Sequence, residues 1–570
     1  MNQRLSRLSL LAAILLVAAC AKEQPPVASE TVTAAETATV EPARIDAQRL
    51  SEQVKVLASD EFGGRAPGTA GESKTVEYLI EQFETIGIEP GGPDGSWTQT
   101  VPMIHTLLGD AGSLTITQGG DSSALLQAED IEVSTVRPAT AIVIDEAPVA
   151  FVGFGVSAPE RDWDDFGDLD LTGKIALFLV NDPDFAAAAE EPVAGRFGNR
   201  RMTYYGRWSY KFEEAARRGA LGALVIHETE AAGYGWSVAS SSPGENYALA
   251  DADAQPVALQ GWMHGDTAAR LLAAAGHDLA QLRVAARHPD FEAFELEDTS
   301  FSADLQVQVK EIDSANVLGL LPGSTHPDEI LMASAHWDSY GEGAPDAEGR
   351  TVRPGANDDA LGTAGVLELA RVLKAGPPLQ RSVVFALWTA EESGLLGSKA
   401  YADDPVYPLE TTVANFTLDI LQTAGLARDV ILVGKGQSEL EDDLARVAAT
   451  QDRVVTPENL PENGLFYRAD HFSMARGGVP VLLLMAIAGG NDLVEGGRAA
   501  GNQWVADYVG NCYHQTCDAW DPDWNLAGAV QDIELFQMLI EDLGNSRRWP
   551  EWKAGSEFKA LRDTSSSARL

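Results

Sequence analysis

Cysteine and basic residues are scarce in this chain of 570 residues, which has three cysteines and 41 lysines and arginines against 85 aspartates and glutamates. The resulting formal charge of −44 repels nucleic acid and anionic lipid surfaces, so we expect no nucleic-acid partner. The sequence also lacks the GxSxG turn that carries the nucleophile of serine hydrolases. Beyond the N-terminal segment, no apolar run is long enough to span a membrane.

The N-terminal segment is predicted to be a targeting signal. Arg4 and Arg7 precede an apolar run that is too short to cross a bilayer and ends at Cys20. Small residues before a cysteine resemble the lipobox of bacterial lipoproteins, which implies lipid on Cys20; an ordinary secretory signal is the alternative. Ala21 gives no signal for retention in the inner membrane, so we expect attachment to the outer membrane, facing the periplasm or the exterior.

The other two cysteines, Cys512 and Cys517, lie five positions apart and bracket His514. Nearby thiols in an exported protein commonly form a disulfide, and a bridge here would stiffen the loop that carries this histidine. A pair of free thiols is the alternative.

The length of the chain predicts more than one domain. Residues 1–20 read as the signal, 21–44 as a disordered tether rich in Ala, Thr, Glu and Pro, and 553–570 as a tail. Helical periodicity opens a first part at 45–145. Strand and helix patterns alternate in a block at 146–292, where we interpret His227 as structural, and again at 293–552. Continuous apolar strands predict an α/β fold with a mainly parallel sheet covered on both faces.

Candidate catalytic residues follow predicted strands of the last part. His336 and Asp338 follow ILMASA, Glu391 and Glu392 follow VVFALWT, and Asp419 ends ANFTLD. These residues therefore lie just past the carboxyl ends of the strands, and ligands of open α/β sheets bind at that edge. Asp338 is placed to fix the His336 tautomer, and one of the paired glutamates can bind a metal while the other acts as general base. For His336, the alternative is a histidine that makes one hydrogen bond in the core. For the paired glutamates, the alternative is the solvated start of a helix.

A Gly-rich turn, GANDDALG, carries Asp358 and Asp359, and two later segments each place a histidine beside an acid: RADHFSM with His471, and NCYHQTCD with His514. Imidazole and carboxylate together suit zinc or a similar divalent ion. For the aspartates alone, a helix N-cap is the alternative.

Taken in order, AHWDS, GANDDALG, TAEESGLLGS, FTLDI, ADHFSMARGGVP and YHQTCD resemble the motifs of the co-catalytic zinc aminopeptidases, a family that includes glutamate carboxypeptidase II and glutaminyl cyclase. The resemblance covers about 45–145 and 293–550. The block at 146–292 is similar to a protease-associated (PA) domain inserted into the peptidase domain, and the sequence indicates no partner for it.

The resemblance implies two Zn²⁺ ions per chain. One would bind His336 and Asp419, the other Glu392 and His514, and Asp358 would bridge them. Glu391 would be the general base, Tyr513 would donate to the oxyanion, and Asp338 would hold His336; Asp470 and His471 would not be ligands.

The implied activity is hydrolysis of peptide substrates, most simply by an aminopeptidase. A carboxypeptidase needs arginine to bind the substrate's terminal carboxylate, yet the stretch after RGGVP has no arginine before Arg498. Arg468 and Arg476 remain candidates for such a role. The alternatives are a carboxypeptidase or glutaminyl cyclase on the same scaffold, and a binding protein with a structural metal site, for which Glu391 would be unnecessary.

Overall fold

A computed structural model describes residues 43–241, 243–250 and 256–569. The predicted signal, most of the predicted tether and Cys20 lie outside these residues. None of the helices in the described part of the chain combines the length and the apolar character that crossing a membrane requires.

The first part begins with two amphipathic helices whose apolar faces are buried. The second of these helices ends before Gly87, which adopts a left-handed conformation (φ 84°) that suits glycine. The elements of this part are α1 (Ala47–Leu57), α2 (Ala70–Ile86), β1 (Glu89–Pro90), β2 (Thr98–Gln118), β3 (Asp121–Ala124), β4 (Ile131–Ser134) and β5 (Ala141–Phe151).

The middle block alternates short strands and helices, as predicted. Its strands are β6 (Ser157–Ala158), β7 (Trp163–Asp164), β8 (Ile175–Leu179), β9 (Gly222–His227), β10 (Glu245–Leu249) and β11 (Leu259–His264), and its helices are α3 (Trp208–Arg217), α4 (Thr229–Ala232), α5 (Trp236–Ala239), α6 (Gly265–Ala274) and α7 (Leu279–Ala285).

The last part contains the strands that carry the candidate residues. Its strands are β12 (Phe294–Leu321), β13 (His326–His336), β14 (Gly341–Glu342), β15 (Val352–Arg353), β16 (Arg381–Trp388), β17 (Thr412–Leu418), β18 (Asp429–Leu432), β19 (Val454–Pro457) and β20 (Val481–Leu484). Its helices are α8 (Leu361–Ala375), α9 (Leu396–Asp403), α10 (Leu440–Ala448), α11 (His471–Arg476), α12 (Gly497–Asp507), α13 (Ala527–Gly544) and α14 (Lys559–Thr564).

One sheet runs through both regions in the order β20-β17-β13-β16-β12-β5-β8-β9-β11-β4. The four strands β20, β17, β13 and β16 are mutually parallel, and so are β5, β8, β9 and β11. The 28-residue strand β12 is antiparallel to its neighbours β16, β5 and β2 and joins the two parallel sets. The predicted mainly parallel α/β sheet is confirmed, whereas the long strands β2 and β12 were not predicted.

Helices cover the last part of the sheet on both faces. One apolar cluster packs α1, α2, α8 and α13 against one face, and a second packs α9, α11 and the segment before α11 against the other. The middle block has apolar clusters of its own. With both faces covered, polar side chains that point to a ligand are left mainly at the strand ends, where chain segments turn.

Candidate active site

The candidate residues meet at one edge of the sheet because their strands are parallel neighbours. In the β13–β16 pair His336 is opposite Trp388, three residues before Glu391, and in the β13–β17 pair Ser334 is opposite Thr417, two residues before Asp419. The strands therefore end at the same level, and the loops after them carry the acids to one place.

Two groups of three side chains lie within reach of a common ion. In each group, the potential ligand atoms all lie within 4.8 Å of one another. His336, Asp358 and Asp419 form the first group and are buried; Asp358, Glu392 and His514 form the second. Asp358 belongs to both groups, with Oδ1 3.3 Å from His336 Nε2 and Oδ2 3.4 Å from His514 Nε2. The structure thus brings together all five side chains that the sequence proposes as ligands.

Several of these potential ligand atoms lack a hydrogen bond in the part of the chain that the structure describes. His336 Nε2, Glu392 Oε1 and Asp419 Oδ1 are buried and have no hydrogen-bond partner among the described residues. Burying polar atoms without partners is costly, so such atoms are normally satisfied by water, a ligand or a metal ion. A mixed imidazole and carboxylate set with unpaired atoms facing each other fits a pair of divalent ions such as Zn²⁺.

The pKa values of the acids also indicate that the site favours a bound cation. Burial raises the pKa of Glu391 and of Glu392 well above the usual range, and nearby carboxylates raise both further. Burial and the charge of Asp358 raise the pKa of Asp419 to about 8. Burial opposes ionisation of Asp358 too, but the neighbouring imidazoles of His336 and His514 outweigh burial and lower its pKa. Without a cation, this cluster holds more negative charge than its buried setting favours.

The Asp338 carboxylate lies closer to the backbone of the glutamate pair than to the His336 ring. Its carboxylate accepts hydrogen bonds from the backbone N–H groups of Glu391 (3.0 Å) and Glu392 (3.4 Å). His336 Nδ1 lies 3.2 Å from the main-chain carbonyl of Asp338 and 3.5 Å from its carboxylate. Asp338 therefore sits between the loops after β13 and β16, and its carbonyl is the nearer acceptor for the ring, a refinement that the residue spacing did not reveal.

The turn that carries Asp358 is fixed by an acid that sequence reasoning did not single out. The Asp518 carboxylate accepts hydrogen bonds from the backbone N–H groups of Asn357 (3.0 Å) and Asp358 (3.1 Å) and from the Tyr508 hydroxyl (3.0 Å). Asp359, the neighbour of Asp358, instead accepts from the His336 N–H at 3.3 Å. Asp518 ends the YHQTCD motif, and this was the only signal for it.

Arg65 connects the loops of the site through hydrogen bonds to main-chain carbonyls. This fully buried guanidinium donates to the carbonyls of Trp337 (2.7 Å), Leu57 (2.9 Å), Pro354 (2.6 Å) and Gly355 (2.9 Å). It thereby ties the chain between His336 and Asp338 to the turn before Asp358. No motif around Arg65 indicates this role, because its partners are all main-chain atoms distant in sequence.

His514 is oriented by a tyrosine that was also not predicted. The Tyr340 hydroxyl lies 3.0 Å from His514 Nδ1, which leaves Nε2 facing Asp358 and Glu392. Burial raises the pKa of Tyr340 well above its usual value, so the phenol stays protonated. Such a contact fixes the tautomer and orientation of a ligating imidazole.

The predicted disulfide between Cys512 and Cys517 is confirmed. It closes the loop that carries Tyr513 and His514 and lies directly before Asp518. Burial raises the pKa of Tyr513, so its hydroxyl is protonated; it accepts a hydrogen bond from Arg468 Nη2 at 3.2 Å.

The two other histidines considered from the sequence have packing roles. His471 is buried and lies edge-on to Phe466, and burial lowers its pKa to about 3, so the ring is neutral. His227 Nε2 lies 3.1 Å from the Tyr234 carbonyl, and the ring packs against Trp262.

A cavity of about 380 Å³ opens over the site. It is lined by Asp358, Glu391 and His514 on one side and by residues of the middle block on the other. Three arginines line it as well: Arg207, Arg468 and Arg476. Arg468 and Arg476, which the sequence left as candidates for the pocket, thus both line it. The stretch after RGGVP indeed supplies none, but Arg468 precedes it and Arg207 comes from the middle block, about 260 residues earlier in the chain.

Comparison with known proteins agrees with this geometry. The sequence model described as "Peptidase family M28" matches residues 316–537, a segment that contains all five potential metal ligands. We call these residues the M28 segment. The M28 segment begins within β12 and ends within α13.

Individual relatives match over limited lengths. Aminopeptidase YwaD of Bacillus subtilis is 36% identical over 141 residues, which cover 24% of this chain and 28% of that protein. Probable lipoprotein aminopeptidase LpqL of Mycobacterium tuberculosis is 24% identical over 353 residues, which cover 61% of this chain and 52% of that protein. The chain thus aligns with 28% and 52% of the length of these two relatives.

The fold is shared more widely than the sequence. An aminopeptidase from Aneurinibacillus sp. strain AM-1 superposes with a TM-score of 0.50 at 21% identity, covering 87% of this chain and 94% of that structure. At this identity the likeness concerns the fold alone, but it extends well beyond the M28 segment.

Proposed function

We propose that this protein is a metallopeptidase that holds two zinc ions and removes residues from the N-terminus of peptides. The observation that carries the proposal is the pair of ligand groups that share Asp358, with the Glu391 carboxylate 3.9 Å from His336 Nε2 and beside both groups. His336 and Asp419 hold one ion, Glu392 and His514 the other, and Asp358 lies between them.

Bound zinc supplies Lewis-acid activation of a water molecule and stabilises negative charge that develops on the substrate. Glu391 accepts the proton of the attacking water and delivers it to the leaving amine. Burial raises the pKa of the Glu391 carboxyl, which favours its holding a proton between accepting it and delivering it. The protonated Tyr513 hydroxyl donates to the carbonyl oxygen as it becomes negative, and Arg468 orients that hydroxyl.

The direction of cleavage is drawn from two sources. The relatives that match the M28 segment include proteins named aminopeptidases, among them YwaD and LpqL. The acids around the site also suit a substrate ammonium group. A second candidate is a carboxypeptidase, which is favoured by the arginines in the cavity, because a guanidinium binds a terminal carboxylate in a bidentate way. No comparable observation favours a glutaminyl cyclase, and a purely structural metal site would not need Glu391.

The proposal also covers the cellular location and the domain architecture of the protein. The protein is exported and anchored in the outer membrane through lipid on Cys20; the name of LpqL, a probable lipoprotein aminopeptidase, supports an envelope location. The block at 146–292 is a PA domain inserted between the two parts of the peptidase domain. In the structure this block lines the cavity above the candidate site.

The test is hydrolysis of a set of peptides by the zinc-loaded protein, with the products identified by mass spectrometry. We expect release of N-terminal residues from free peptides and a severe loss of rate when the N-terminus is acetylated. Release of C-terminal residues from acetylated peptides at an equal rate would establish the carboxypeptidase instead. Absence of hydrolysis from all peptides with two zinc ions bound would leave a binding protein.

A further inference from the structure

The strand pair β4–β11 contributes its polar side to the cavity. In this antiparallel pair Glu132 is opposite Trp262, and Ser134 is opposite Gln260. Side chains of directly opposite residues lie on the same side of a sheet, and all four of these residues line the cavity. Val133, the residue between the two polar positions of β4, points the other way and is buried in an apolar cluster. The alternation of the strand therefore directs the Glu132 side chain toward the cavity.

Glu132 is a buried acid whose carboxylate is only partly satisfied. The residue is 7% exposed. Its Oε1 accepts hydrogen bonds from the Gly244 N–H at 3.0 Å and from Gln127 Nε2 at 3.1 Å. Its Oε2 is buried and has no hydrogen-bond partner among the residues that the structure describes. A glutamine could accept the same two hydrogen bonds without a charge, so an acid is more than the local structure requires.

The charge of Glu132 has no counter-ion within the protein. Burial raises its pKa to about 7, and the hydrogen bond from the Gly244 N–H lowers it only in part. In the described part of the chain, no lysine, arginine or histidine is among the groups that shift this pKa. A buried carboxylate without a counter-ion destabilises the folded protein, and a cation that enters from the cavity would remove this penalty.

The neighbours of Glu132 suit an organic cation. The indole ring of Trp262, directly across the strand pair, is the aromatic surface that attracts an ammonium or guanidinium group most strongly. The side-chain oxygen of Gln260, two residues along β11, can accept a hydrogen bond from the same group. Glu132 belongs to neither of the two residue groups that could hold a metal ion. A lysine or arginine side chain therefore fits this wall better than a metal does.

Glu132 lies away from the candidate metal centre. None of the acids of that centre is among the groups that shift the pKa of Glu132. The contacts that lead toward the centre pass through Ser134, which accepts a hydrogen bond from Asn246 Nδ2 at 2.8 Å, and then through Tyr247. Burial and the Glu245 carboxylate raise the pKa of Tyr247, and the charge of Asp338 adds to this effect. Tyr247 is thus within electrostatic reach of the centre, and Glu132 is beyond it.

We propose that Glu132, Gln260 and Trp262 form a subsite for the cationic side chain of a lysine or arginine in the substrate. This inference rests on the proposed function and names its substrate class. The N-terminal residue occupies the metal centre, and each further residue extends the peptide by about 3.5 Å. The basic residue that reaches the subsite therefore follows the scissile bond. The enzyme prefers peptides that carry a positive charge after their first residue.

The first experiment needs no variant. Zinc-loaded protein is given alanine pentapeptide amides with lysine at position 2, 3 or 4, and the same peptides with norleucine, which has the alkyl stem of lysine without its charge. We expect KM to be about 10- to 100-fold lower for lysine than for norleucine at one of these positions, as for a charge-assisted hydrogen bond. Equal KM values at all three positions, or a preference for lysine at position 1 only, would overturn the proposal.

The second experiment assigns the preference to Glu132. Glu132→Gln keeps an oxygen for the Gly244 N–H and should raise KM for the lysine peptide to that of the norleucine peptide. Glu132→Asp should retain part of the preference, because it keeps the charge on a shorter side chain. Glu129→Gln is the matched control: it removes the same charge from an exposed residue just before β4 that is not among those lining the cavity. A preference that survives Glu132→Gln, or that Glu129→Gln removes equally, would contradict the assignment.

A binding measurement separates this inference from the proposed function. Calorimetry with zinc-loaded Glu391→Gln protein compares the affinities for the lysine and norleucine peptides without turnover. Tighter binding of the lysine peptide, lost on adding Glu132→Gln, would support the subsite even if the wild-type protein hydrolysed no peptide. Equal affinities for the two peptides would overturn the subsite even if hydrolysis were observed.

Discussion

The sheet has two parallel sets of strands, and polar residues follow the strands in both, yet among the residues that the structure describes only one set has the features of a metal centre. In the middle block, Asp182 follows β8, and its carboxylate accepts hydrogen bonds from the backbone N–H and the side-chain hydroxyl of Thr203. The buried Lys211 ammonium donates to three main-chain carbonyls. His227, at the end of β9, contacts the Tyr234 carbonyl. These groups find their partners within the protein.

At the other edge, the partners are missing. His336 Nε2, Glu392 Oε1 and Asp419 Oδ1 belong to side chains of the two potential ligand groups and have no hydrogen-bond partners in the described part of the chain. Both edges combine buried acids with imidazole, so residue type does not distinguish them. The candidate site is distinguished by several polar atoms without hydrogen-bond partners that lie close together. A bound ion can satisfy such atoms, whereas the groups of the middle block are already satisfied by hydrogen bonds within the protein.

The largest effect should come from Asp358→Ala. Because Asp358 contacts both histidines, its loss should remove the shared ligand of both ions, so that zinc falls well below two per chain and hydrolysis disappears. Zinc content by elemental analysis and hydrolysis of a free peptide are the readouts. Two tightly held zinc ions in this variant would break the contrast between the two edges, since the bridging role would then be wrong.

Glu391→Gln should separate chemistry from metal binding. Glutamine cannot accept the proton of water, so turnover should fall on the order of 10²- to 10⁴-fold or more. Zinc content should stay at the wild-type level, because Glu391 belongs to neither ligand group. A near-normal rate would show that the roles within the glutamate pair are assigned wrongly.

The disulfide should matter more for metal affinity than for folding. Changing Cys512 and Cys517 to serine should cost about 2 kcal/mol of unfolding free energy or less, because the closed loop is short. The loop carries His514 and leads into Asp518, so zinc affinity should fall about 10-fold or more. Competition with a chelator measures this affinity, and chemical denaturation measures the stability. Unchanged zinc affinity in the serine variant would separate the bridge from the metal site.

The smallest effect is expected for an acid of the first part of the chain, Glu132, which lies in β4. Burial raises its pKa from 4.5 to about 7 in the folded protein, despite a hydrogen bond from the Gly244 N–H. Its ionisation therefore opposes folding: the penalty is absent below the unfolded pKa, grows between about pH 4.5 and 7, and is complete above. Glu132→Gln should stabilise the protein by on the order of 1–3 kcal/mol at pH 8 and change little at pH 4.5. Thermal unfolding at both pH values tests this; equal effects at both would disprove the shifted pKa.

The fold could be predicted from the sequence where the burial of a single strand or helix accounts for its pattern of apolar residues. The apolar runs ILMASA, RSVVFALW and VLLL are buried on both faces and form β13, β16 and β20, because a parallel strand between two helical layers has no polar face. The strands β2 and β12 left no such signal. Apolar and polar residues alternate along these two strands. The strands are 21 and 28 residues long, and they stabilise each other by pairing along most of that length.

The sequence by itself was sufficient to propose the potential ligands. The ordered motifs, and the family that they resemble, named His336, Asp358, Glu392, Asp419 and His514, because a metal centre needs particular donor atoms and motifs record them. Only the tertiary structure decided what surrounds them. Tyr340, Asp518 and Arg65 act through contacts with residues far away in the chain. Arg207 reaches the cavity from a different part of the sheet. A side chain that acts by its place among distant neighbours leaves no local pattern, since its position depends on how the strands pair and not on the residues beside it.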